Sequence, residues 1–166
     1  WVPATVAGTQ FHHKSWTGSA RFDKTTGRFS HCAIAGAYKS GNFLSFAYSK
    51  DGLWLGVGNK GWSLKANAEY PVTLSIDKAW ELSTVAVALG ARQRASWIVY
   101  VKLGDARAIA PVLKRGSLLA VRTTQQTIKF TLTDVRIALI RLEECYGDNR
   151  SRTRERPAPM RPPRPN

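Results

Sequence analysis

Cys32 and Cys145 are the only cysteines in the chain, and four chemistries are open to them: a pair of buried thiols, part of a metal centre, a nucleophile with a bystander, or a disulfide. A zinc centre takes about four ligands in close local pairs. This chain has no CxxC and only His12, His13 and His31 as further donors, which argues against a metal. A cysteine nucleophile needs a positioned histidine, yet His31 and Cys32 are adjacent in an extended stretch and so point to opposite faces. A Cys32–Cys145 disulfide is the expectation, because both residues fall on core-facing positions and bracket nearly the whole folded region. Such a bond needs an oxidising compartment and implies a periplasmic or secreted protein.

The other reactive residue types form no recognisable set. His12 and His13, as neighbours in an extended segment, point apart and read as two solvated rings. There is no GxSxG, no HExxH and no phosphate-binding glycine loop, and Gly56, Gly58 and Gly61 read as close packing or bulges within or beside strands. Asp51 and Asp77 sit in turns, Asp134 at a helix start, and Glu143 and Glu144 on a helix's exposed side. A glycan hydrolase would need a pair of carboxylates brought together in space, which the linear order does not reveal. No catalytic residue and no cofactor is therefore assigned.

Binding chemistry is better represented. Lysines and arginines number 25 against 11 acids, a net charge of +14. Residues 148–166 hold Arg150, Arg152, Arg154, Arg156, Arg161 and Arg164 with two acids, which is +4 and leaves +10 on the preceding body. A surface so charged attracts anionic polymers, whether envelope polysaccharide, lipid headgroups or nucleic acid. Six tryptophans are many for this length and core packing suits them best; Trp54 falls on the face opposite Leu53 and Leu55, so either both faces of the sheet are partly covered or its ring is exposed to stack on a sugar or a base. The tail RERPAPMRPPRPN carries PxxP at Pro159 to Pro162 and again at Pro162 to Pro165, a spacing that suits polyproline II recognition. Trp54 and the six tail arginines are the candidate partner-binding residues. A protein or an anionic envelope polymer is the expected partner, ahead of nucleic acid.

The elements that must position these residues are mostly strands. In FSHCAIAGAYKSGNFLSFAYSKDGLWLGVGNKGW, Leu44, Phe46 and Tyr48 alternate with small or polar residues, Asp51-Gly52 intervenes, and Leu53, Leu55 and Val57 alternate again. Period-2 patterning around Asp-Gly signals a hairpin. Trp16 to Phe22 makes an earlier hairpin strand through the turn cluster at 23–27. Tyr70 to Ile76 alternates strictly, with Pro71 fitting only an edge or a strand start. Val85, Val87 and Leu89 are expected on one face of the next strand, followed by a turn at 90–95 and a strand with Trp97, Val99, Val101 and Leu103. Two short strands end at Leu132. Residues 105–115 are expected to form no more than a helical turn because of Pro111. From Thr133 the spacing of Val135, Ala138, Leu139, Leu142 and Cys145 predicts a helix capped by Asp134 and stopped at Tyr146-Gly147.

Eight or nine short strands and one terminal helix predict an all-β fold, an antiparallel β-sandwich with the helix packed on it. The expected organisation is an N-terminal arm over 1–15, a sandwich over 16–147, and a Pro/Arg tail over 148–166. The apolar content of 43% is enough for one core, and no apolar run approaches the ~20 residues that cross a bilayer. The first residue is Trp1, so the expected form is a processed or partial chain.

Cys32 ahead of an aromatic strand, GLWLGVGNKGWSL followed by YPVTLSID, and FTLTDVRIALIRLEEC with its closing cysteine together resemble small exported α-proteobacterial proteins of the invasion-associated locus B type. The resemblance spans roughly residues 16–145. It implies a periplasmic or secreted β-sandwich with a disulfide and no assigned catalysis. The Pro/Arg tail and the strong basicity lie outside that pattern.

Overall fold

The computed structural model describes residues 5–89 and 97–152. The expected turn at 90–95, Arg154, Arg156, Arg161, Arg164 and both PxxP segments lie outside the described residues. Ten strands and two helices follow one another: β1 (Thr5–His13), β2 (Trp16–Asp23), β3 (Phe29–Ala37), β4 (Asn42–Ser49), β5 (Gly52–Asn59), β6 (Glu69–Ile76), β7 (Trp80–Ala88), β8 (Ile98–Gly104), α1 (Ala106–Arg115), β9 (Leu118–Arg122), β10 (Thr127–Thr131) and α2 (Val135–Asn149). All ten strands belong to one antiparallel sheet of order β1-β2-β3-β4-β5-β8-β7-β6-β9-β10. The stretch 5–13, expected as an irregular arm or an edge strand, is its first edge strand.

Local chemistry sets the reversals. Gly52 has a φ of 110° at the β4–β5 turn, and a Cβ there would strike the carbonyl oxygen of Gly104, so only glycine fits. Between β6 and β7, Asp77 and Lys78 adopt φ of 52° and 65°, and the Ala79 amide donates to the Ile76 carbonyl at 2.9 Å. That is the hairpin turn whose twist matches the flanking strands. The Asp77 carboxylate also accepts the amides of Ser117 and Leu118 at 2.7 and 2.9 Å, tying this turn to the start of β9.

The sheet curls back on itself. Tyr38, just past β3, meets Phe130 of β10 edge-on with ring centroids 5.1 Å apart, and its hydroxyl donates to the Thr131 carbonyl at 2.8 Å. In a flat sheet, seven strand steps of about 4.8 Å would hold those two strands some 34 Å apart. Curling makes a sandwich-like pair of layers around one core. Trp16, Ile34, Leu44, Phe46, Leu55, Leu74, Leu119 and Phe130 line its interior, all buried. Gly36 leaves room for the Trp16 ring, which a Cβ would approach to 2.8 Å.

Both helices close the inner face. α2 packs on β2, β3 and β4, while α1 packs on β5, β8 and α2. α1 is a ten-residue helix rather than the single turn expected, with Pro111 inside it. Proline removes one amide donor, but Ala106, Ile109, Ala110 and Leu113 are buried, and that burial offsets the roughly 3 kcal/mol of a mid-helix proline. α2 carries Val135, Ala138, Leu139, Leu142 and Cys145 on its buried face, as the spacing predicts. Its ends differ from expectation. Asp134 makes no capping bond and instead takes the Lys14 ammonium at 2.6 Å. The helix continues through Gly147 to Asn149, whose buried side chain donates to the Cys145 carbonyl at 2.8 Å.

Val85 and Val87 share one face of β7, as expected, and it is the outward one: Val85 is 43% exposed, while Ala86 and Ala88 are buried. Pairing with β6 sets Val72 opposite Thr84 and Leu74 opposite Leu82, so even-numbered residues share the core face whatever the valines prefer. Trp97 precedes β8 and stays 38% exposed, its ring edge-on to Phe43 at 5.4 Å. Val99 and Val101 are buried as expected.

Candidate functional site

Cys32 and Cys145 form the disulfide, with Cα atoms 6.2 Å apart. The aromatic contacts beside it show why the pair meets. Tyr146 stacks on Tyr48 at 4.1 Å and tilts against Phe29 at 5.9 Å, seating the end of α2 over the inner side of β3 and β4. The chain then continues along β3, where the Phe29 amide donates to the Arg152 carbonyl at 3.2 Å. Arg150 and Arg152 are both exposed there.

Trp54 lies on the other side of the sheet. Two cross-strand rows define that outward face. One runs Ser19, Ala33, Ala47, Trp54, Lys102 across β2, β3, β4, β5 and β8; the other runs Thr17, Ala35, Ser45, Gly56, Tyr100. Over β2 to β4 no side chain in either row is longer than threonine. A solvated antiparallel face normally carries long polar side chains, as Glu81, Arg122 and Lys129 do on the outward side of β7, β9 and β10. The result is a shallow floor of alanine methyls and hydroxyls with an aromatic flank. At Gly56 a Cβ would strike the Ser45 hydroxyl and come within 3.0 Å of the Tyr100 ring, so those side chains lie directly over the glycine. The Lys102 ammonium lies 5.9 Å from the Trp54 ring centroid, a cation–π contact. On the β4 side the residue paired with it is Ala47, and Trp54 is half-buried. The tail arginines within the described residues are therefore not brought to Trp54.

The charges on this face are positive. Among outward side chains of β2 to β5 and β8, Arg21 and Lys102 are the cations, and Asp23, at the end of β2, turns its carboxylate to the Thr25 and Thr26 amides at 2.8 and 2.6 Å. Other acids are also engaged: Asp105 accepts the Arg107 amide, Glu143 pairs with Lys114 at 2.5 Å, and Glu144 pairs with Arg141 at 3.1 Å. Among the described residues, no group of three histidine, cysteine or acidic side chains is placed to hold a metal ion. His12 and His13 sit on opposite sides of β1, and His31 faces outward on β3, opposite Arg21 and Ser49.

His31 gives this face a pH response. Burial, reinforced by the Arg21 guanidinium, pushes its pKa down from 6.5 to about 4. The folded protein thus binds fewer protons than the unfolded chain between those values. The neutral ring's contribution is complete above pH 6.5 and is lost as the pH falls toward 4, at most about 3 kcal/mol. His31→Gln is expected to flatten the fall in urea midpoint between pH 6.5 and 4. Equal slopes for variant and wild type would contradict this.

Comparison of the chain with protein-family models, with characterised proteins and with solved structures finds no match. Of the face, sequence parity identifies Trp54 as outward-facing but does not find Lys102, Tyr100 or the small-residue floor. The signal for the floor is present in the outward positions Ala33, Ala35, Ser45 and Ala47, read together rather than strand by strand.

Proposed function

We propose that this chain is a non-enzymatic binding module of the periplasm or cell exterior whose basic surface engages an anionic envelope polymer or a protein partner. The observation that carries this reading is the unbalanced charge: +14 overall, with only three ion pairs joining described residues. Cations left without acidic neighbours attract a polyanion by releasing its counterions. The disulfide is compatible with export, since cytosolic thiols are kept reduced. No helix among the described residues is long and apolar enough to cross a membrane.

Two measurements test the reading. Electrophoresis of the full chain through gels containing an anionic or a neutral polysaccharide should show retardation only in the anionic gel, weakening as salt rises. Protein taken from its native cells, denatured and alkylated without reductant, should carry no alkyl group. Equal mobility in both gels would overturn the polyanion reading, and two alkylated cysteines would remove export.

A further inference from the structure

Resting on the binding-module reading, we propose that the outward face of β2 to β5 holds an acidic polysaccharide, one sugar ring stacked on Trp54 and the chain lying across the strands. Trp54 supplies the stacking surface. The C–H bonds on one face of a pyranose carry partial positive charge and meet the negative face of an indole, and the cross-strand neighbour on the β4 side is an alanine that cannot cover that ring. The floor supplies fit: from β2 to β4, about 10 Å across, its two rows offer alanine methyls and the hydroxyls of Ser19 and Thr17, with the Ser45 hydroxyl buried beneath them. Hydroxyls suit a sugar, which both donates and accepts.

Charge selects among occupants. Lys102 and Arg21 flank the floor from β8 and β2, four strand steps apart, so an extended polymer with repeated carboxylates reaches both. Arg21 holds Thr5 by its Nε at 3.1 Å, which fixes its head at the rim and leaves its charge uncompensated. A second copy of the chain would set +14 against +14. Single-stranded nucleic acid, which binds by stacking successive bases on several aromatic platforms, is the competing occupant that oligothymidylate tests.

The test is calorimetric titration of the full-length chain with polygalacturonate, dextran and oligothymidylate at fixed ionic strength, for wild type, Trp54→Ala and Trp54→Phe. Wild type should bind polygalacturonate and not dextran, Trp54→Ala should lose at least about tenfold in affinity, and Trp54→Phe should keep most of it. Thermal melts matched to wild type show that the variants are folded. Polygalacturonate binding that survives Trp54→Ala unchanged overturns the face as the site while leaving the polyanion reading intact. Oligothymidylate bound as tightly, with the same dependence on Trp54, would reassign the face to nucleic acid. Wild type that binds no polyanion removes the polyanion reading, and this proposal with it.

Discussion

Breaking the Cys32–Cys145 bond is expected to lower the stability of the fold by up to about 5 kcal/mol, the chain-entropy value for opening a loop of this length. The bond joins the third strand to the last helix across 113 residues, so in the unfolded chain it restricts nearly everything that folds. A domain of this size has in total about 5–15 kcal/mol of stability. Urea unfolding with and without reductant, together with a Cys32→Ala/Cys145→Ala variant, measures the difference. A midpoint that reductant does not move would show that packing of α2 alone holds the ends together.

Phe46→Ala is expected to cost about 3–5 kcal/mol. Phe46 is fully buried in β4, flanked by Ile34 of β3 and Leu55 of β5, and its ring stacks with Trp16 at 6.1 Å between centroids. Truncation leaves a cavity walled by strands locked in register on both sides, which cannot collapse to fill it. Phe46→Leu, which keeps most of the volume, should cost roughly half as much or less. If both substitutions shift the urea midpoint equally, cavity formation is not the cause. A midpoint unchanged by Phe46→Ala would mean that the neighbouring layers relax into the space.

Where a physical constraint acts along neighbouring residues, the sequence shows the fold. Leu44, Phe46 and Tyr48 alternate because one face of β4 must be dry, and Cys145 follows Leu142 at helical spacing because α2 has one apolar side. Val85 and Val87 show a strand and a shared face but not which face is buried, because branching favours a strand without choosing its face; that choice comes from pairing with β6. Pro111 misleads, since its local cost is offset by burial against strands far away in the chain. The candidate face suffers from the same non-locality. Parity points Trp54 outward, but β5 pairs with β8 rather than β6, so Lys102 and Tyr100 reach it across more than forty residues. No spacing rule spans that distance.

The position of α2 also dictates an order of events during synthesis. The inner face of β2, β3 and β4 is covered by residues 135–149, the last of the described elements to be made. Until that segment arrives, Phe29 and Tyr48 lack the Tyr146 ring that packs on them, and Cys32 has no partner. Contacts of such long range form late and leave apolar strands open to association with other chains. A growing chain of this protein therefore needs its hairpins shielded until α2 emerges, and a product cut short before residue 135 would be a substrate for chaperones and proteases.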